Sequence, residues 1–163
     1  MKLVSHTDPI LKVECADFNW AEPQIDDIIE FSRTFIKFMY DNNGIGLAAP
    51  QIGLPYRIFA MRGDPENFIV INPRIVDKTS EEIYLEEGCL SFPGLLVKVK
   101  RPKSIKVRFE VPNGDTMTKT FTGMTARIFQ HEYDHLDGIL FTEKANRVHR
   151  DISMKKWRKG LDK

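Results

Sequence analysis

The residues most able to do chemistry lie at Gln130-His131-Glu132-Tyr133-Asp134-His135, an H-E-x-x-H pattern in a stretch expected to be helical. At about 3.6 residues per turn, positions four apart sit about 40° apart around the axis, so both imidazoles leave one face and can hold a single metal ion. Glu132 projects on the same side, where a carboxylate can take a proton from a metal-bound water whose pKa the ion has lowered towards ~7. The competing reading is a charged helix with two surface histidines. The chain has only 4 histidines, and the fact that two fall in this register favours the metal.

Such a site needs a third protein ligand. In the extended H-E-x-x-H-x-x-G-x-x-H pattern Gly138 matches the glycine, but Phe141 stands where the last histidine belongs and cannot bind a metal. Glu143 and His149 are candidates downstream, as a zinc peptidase would require. Upstream, Glu86-Glu87-Gly88-Cys89-Leu90-Ser91 ends an expected strand, and Gly88 permits an unusual turn where a thiolate would be presented. Taken alone, Cys89 reads as a small core residue. Gly44-Ile45-Gly46-Leu47-Ala48-Ala49-Pro50-Gln51-Ile52-Gly53 is glycine-rich, but it follows a helix and runs into Pro50, so it is not a dinucleotide loop. It displays one neutral amide, Gln51, suited to a carbonyl oxygen that gains charge during attack. In isolation that glutamine would pass for a solvated one.

The elements that must position these groups follow from periodicity. Ile25, Ile28, Ile29, Phe35, Ile36 and Met39 recur at helical spacing between Gln24 and Asn42, with Pro23 in the first turn and Asn43-Gly44 as the stop. Short runs rich in Ile, Val and Phe then follow at 57–61, 67–76, 81–89, 95–100 and 104–111. Pro112-Asn113-Gly114-Asp115 predicts a hairpin that returns into 116–122. A second helix is expected from Gly123 to Asp137 with Gly138 as its left-handed stop, and a short third one over Arg147 to Lys159. Helices flanking mainly antiparallel strands make an α+β fold around the H-E-x-x-H helix. With no repeat and no linker, residues 1–163 are expected to form one domain with a basic tail at 144–163.

Taken in order, the three segments resemble the peptide deformylase family. Its signatures read here as Gly44 to Gly53, Glu87-Gly88-Cys89-Leu90-Ser91, and Gln130 to Leu136, with Asp8-Pro9-Ile10-Leu11, Phe92-Pro93-Gly94 and Arg101-Pro102 also alike. The resemblance spans roughly residues 3–142 and implies that Cys89, His131 and His135 bind one divalent metal. It implies Fe(II) as the native ion, with nickel or cobalt as active substitutes and zinc usually poorer. It further implies Glu132 as general base, and Gln51 with the backbone N–H of Leu90 as donors to the oxyanion. The reaction would be hydrolysis of the formamide on N-formylmethionyl nascent peptides, releasing formate. Ile45, Leu85, Met124 and Ile128 would line a methionine pocket with Arg127 and Glu87 nearby, while Gly46 and the Gly94 region would offer backbone groups. Periodicity alone would place Leu85 and Met124 in the core.

Charge adds a boundary. The chain carries 24 basic and 23 acidic residues, net +1, but 144–163 holds 8 basic against 2 acidic, net +6, leaving 16 against 21, net −5, elsewhere. An acidic body excludes a protein that coats nucleic acid with its whole surface, so no DNA partner is expected. The tail reads first as a solvated helix, and more specifically as a ribosome-docking element over residues 147–160. Two cysteines make no disulfide framework, the N-terminus lacks a long apolar stretch, and no run approaches the ~18 apolar residues of a membrane span. A cytoplasmic monomer free of the membrane is the expectation.

Overall fold

The computed structural model describes residues 1–161; Asp162 and Lys163, the end of the basic tail, lie outside the described residues. Helix α1 spans Ile28–Asp41 and starts four residues later than its periodicity suggests. The reason is a cap: the Asp27 carboxylate accepts the Glu30 N–H at 2.9 Å, whereas Pro23 stands in an irregular stretch. At its other end Asn43 turns into the left-handed region at φ 58°, and the Gly44 N–H returns to the Met39 carbonyl.

The strands are β1 Gly46–Ala48, β2 Ile58–Met61, β3 Phe68–Lys78, β4 Glu82–Cys89, β5 Phe92–Pro102, β6 Ser104–Glu110 and β7 Thr116–Thr122. Five of them form one antiparallel sheet in the order β1-β2-β3-β6-β7, while β4 and β5 form a separate two-stranded ribbon. Strand β1 lies inside the glycine-rich segment, where three residues are too few to show an alternating pattern. It is created by its partner, with Gly46 opposite Met61 and Ala48 opposite Phe59. A 3-10 turn at Ala49–Ile52 follows it, so this segment is an ordered strand and turn. Strand β5 begins at Phe92, before the Pro93-Gly94 pair that resembles a turn, because Phe92 already pairs with Cys89.

Helix α2, Gly123–Leu136, is buried around most of its circumference. Ala126, Phe129 and Leu136 pack with Phe59, Phe109 and Phe121 of the large sheet. Arg57 caps its C-terminal end, donating to the Leu136 carbonyl at 3.3 Å and to Asp137 at 2.7 Å. Helix α3, Arg147–Leu161, lies against β5 through Met154 and the buried Trp157, whose indole N–H donates to the Pro93 carbonyl at 2.8 Å. The arrangement is α+β, with α2 held between the large sheet and the ribbon. No helix among the described residues is long and apolar enough to cross a membrane.

Candidate metal centre and active site

Two elements aim the candidate ligands. Helix α2 supplies His131 and His135 one turn apart, both buried, and the β4–β5 hairpin carries Cys89 to its tip beside the two-residue turn Leu90-Ser91. A register shift between Glu87 and Cys89 alters the pairing where the thiol is presented. The sulfur and one ring nitrogen from each histidine lie within 4.8 Å of one another, and Cys89 Sγ is 3.3 Å from His135 Nε2. Donors of a tetrahedral ion with bonds of ~2.0–2.3 Å stand about 3.4–3.6 Å apart, so the set fits one cation with three protein ligands. The downstream candidates are used otherwise. Glu143 pairs with Lys12 and accepts the Leu140 N–H, and His149 lies on α3 and does not belong to the cluster.

The His131 ring is oriented from behind, its Nδ1 lying 2.9 Å from the Glu87 carboxylate, which leaves Nε2 to face the other donors. Glu87 is buried and also accepts Arg101 at 2.6 and 2.9 Å and Arg127 at 2.8 Å. Arg101 continues to Asp134 on α2 at 2.6 Å, while Arg127 reaches the carbonyls of Ile83 and Val99. This connected group locks α2 to the ribbon. Burial alone would raise the Glu87 carboxyl, but its bonds to His131 and then Arg101 outweigh that and hold it well below the usual carboxylate range.

Glu132 has the opposite balance. Burial dominates and lifts its carboxyl to about 7, against the partial opposition of His131. Its Oε2 has no hydrogen-bond partner among the described residues, nor has His135 Nδ1. Room for that carboxylate comes from Gly46, where a Cβ would stand 2.9 Å from Glu132 Cγ and nearer still to its oxygen. An ionisable carboxyl that is buried and unpaired beside three converging metal donors can give and take a proton.

Gln51 is only 1% exposed, contrary to the solvated glutamine it would be in isolation. Its Oε1 accepts the Ala48 N–H at 2.8 Å, which fixes the amide so that Nε2 points to Cys89 Sγ at 3.3 Å and Ser91 Oγ at 3.1 Å. A cleft of about 600 Å³ opens in front of these groups. Ile45, Gly46, Glu87, Leu90, Gly94, Met124, Arg127 and Ile128 line it together with Gln51, Cys89, His131 and Glu132. Leu85 does not line it; it sits half-buried on β4, opposite Val99. Ile45 and Met124 are 49% and 54% exposed, so they are walls of an open cleft and not core.

Arg101, Asp134 and Ser91 stand in or beside the motif segments, but sequence reasoning gives them no role. A signal for Arg101 exists in the alternation of β5, where Leu95, Val97 and Val99 are buried and Arg101 takes the next inward place. An arginine in an inward register needs buried acids, and Glu87 occupies the inward register of β4.

Comparison with known proteins agrees with this geometry. The polypeptide deformylase family model matches residues 1–151. The chain is 41% identical to the peptide deformylase of Natranaerobius thermophilus over 152 residues, covering 92% of this chain and 95% of that one. It is 38% identical to that of Thermotoga petrophila over 149 residues, covering 91% and 89%. Among solved structures, peptide deformylase from Plasmodium falciparum superposes with a TM-score of 0.88 at 35% identity, covering 97% of this chain and 94% of that one. The Synechococcus elongatus peptide deformylase complexed with actinonin gives a TM-score of 0.87 at 31% identity, covering 95% and 84%. Motif order, three-ligand geometry and similarity over nearly the whole length lead to one assignment: the chain belongs to the polypeptide deformylase family.

Proposed function

We propose that this chain hydrolyses the formamide at the N-terminal formylmethionine of newly made polypeptides, releasing formate and a free amine, and that Glu132 is its general base. The supporting observation is the convergence on one cleft of a buried, unpartnered Glu132 carboxyl, a fixed Gln51 amide and three metal donors. Cys89, His131 and His135 would hold the divalent cation, which when bound would supply the Lewis acidity that makes water a nucleophile at neutral pH. Glu132 accepts the proton of the attacking water and passes it to the leaving nitrogen. Gln51 Nε2 and the Leu90 N–H donate to the carbonyl oxygen as it becomes negative, a contribution of the order of 10²–10³ in rate per donor. Ile45, Met124 and Ile128 receive the methionine side chain, and Gly46 and Gly94 present backbone to an extended peptide. Glu87 and Arg127 support the cleft from beneath, tied to each other and to His131.

Fe(II) is the native ion in this reading, with nickel or cobalt as working replacements and zinc a poorer one. One thiolate and two imidazoles accept zinc as well, so metal analysis of anaerobically purified protein is the measurement that decides. The substrate places the enzyme where formylated chains are made, in the cytoplasm or an equivalent compartment, and the cationic residues of α3 make it the element that meets the ribosome.

The assay is direct. Protein loaded with Fe(II) or Ni(II) is incubated with formyl-Met-Ala-Ser and formate is measured; absence of formate from both preparations sinks the proposal. Glu132→Ala should retain its metal and lose about 10³-fold in kcat.

A further inference from the structure

The cleft does not end at Gly94. A second groove of about 530 Å³ continues between β5 and α3, and Glu86, Pro93 and Gly94 line both hollows. Gly94 adopts φ +81°, and a Cβ built on it would meet no heavy atom within 4 Å, so the passage between the two is open at this residue. Leu96 joins them physically. Its side chain lines the second groove, and its Cδ2 lies 3.2 Å from where a Gly88 Cβ would be, at the edge of the first. Leu161 of α3 lines the same groove, and these two leucines remain 56% and 55% exposed. Trp157 also lines it, anchored to the Pro93 carbonyl, while Lys156 offers a donor for peptide carbonyls.

Large aliphatic side chains left in water on one open groove mark a surface that some apolar group covers. Continuity with the cleft says which. A peptide with methionine in the first hollow advances ~3.3 Å per residue when extended, so its later residues outrun that hollow, and Gly94 marks the edge at which the second groove adjoins it. We propose that the β5–α3 groove binds the formylated chain beyond its third residue and prefers apolar side chains there. This inference rests on the deformylase reading of the cleft and adds a determinant to it. The groove selects among nascent chains by residues distant from the bond that is cut.

Three peptides test it on the metal-loaded protein: formyl-Met-Ala-Ser, formyl-Met-Ala-Ser-Leu-Leu-Lys and formyl-Met-Ala-Ser-Gly-Ser-Lys. Burying about two methylenes' worth of leucine predicts kcat/KM ~tenfold higher for the Leu-Leu peptide than for the Gly-Ser one. In Leu96→Ser and in Leu161→Ser, both exposed positions, that ratio should fall to about one. Equal kcat/KM for the two hexapeptides in the parent protein overturns the inference even when the tripeptide is turned over. If no peptide loses formate, the deformylase reading fails instead. The groove is then read without turnover by titrating the two unformylated hexapeptides and following tryptophan fluorescence, and equal Kd values overturn the inference there too.

Discussion

Glu132 carries the main cost of the site. Its carboxyl is pushed up to about 7 by burial from an ordinary 4.5, so between those values the folded metal-free protein holds a proton that the unfolded chain has lost. Stability therefore falls as pH rises through that window, and the full penalty, about 3 kcal/mol, applies above 7. Glu132→Gln, which cannot ionise, should make the metal-free protein more stable than the parent at pH 8, and the gain should vanish near pH 4. Urea denaturation at the two pH values checks this; an equal gain at both, or none at pH 8, would show that the carboxyl is not strained by burial. The H-E-x-x-H spacing made Glu132 legible in the sequence. Its missing partner was not, because that depends on Gly46, 86 residues earlier, folding against it.

Strand β5 connects site and scaffold. It buries Leu95, Val97 and Val99 in succession and then places Arg101 inward, bridging Glu87 of β4 and Asp134 of α2. The alternation is visible in sequence, but the inward place of Glu87 is not, since a buried acid is recognised only once its arginines are in place. The same limit applies to β1, which owes its existence to β2, and to the start of α1, which Asp27 sets by one capping bond. Removing one member of a buried ionic group leaves its partners uncompensated. Arg101→Met should lower stability by about 3–5 kcal/mol and weaken metal binding about tenfold or more by loosening Glu87 behind His131. Urea denaturation and chelator competition measure the two effects. Metal affinity equal to the parent's would mean that Arg101 serves folding alone and does not position the ligand.

At the scale of the molecule, the small net charge conceals an acidic body and a basic end, and the structure changes what that end can be. Helix α3 is anchored through buried Trp157 to β5, so deleting it would bare Phe92 and Leu95 and confuse binding with stability. Charge reversal is the cleaner probe. Lys155→Glu with Lys159→Glu, both exposed, should weaken salt-dependent co-sedimentation with ribosomes by about tenfold while formyl-Met-Ala-Ser is still turned over at the parent rate. Unchanged sedimentation would leave α3 as a solvated helix that walls a groove. Sequence by itself determined the paired histidines and the glutamate between them as candidates, because their chemistry depends on residue type and their spacing lies within one helix that local periodicity reveals. Only the tertiary structure decided that Cys89, and not Glu143 or His149, stands with the two histidines, which carboxyl is paired and which is buried without a partner, and that a second groove adjoins the cleft between β5 and α3. Those outcomes rest on burial and on contacts between residues far apart in the chain, and one-dimensional spacing contains neither.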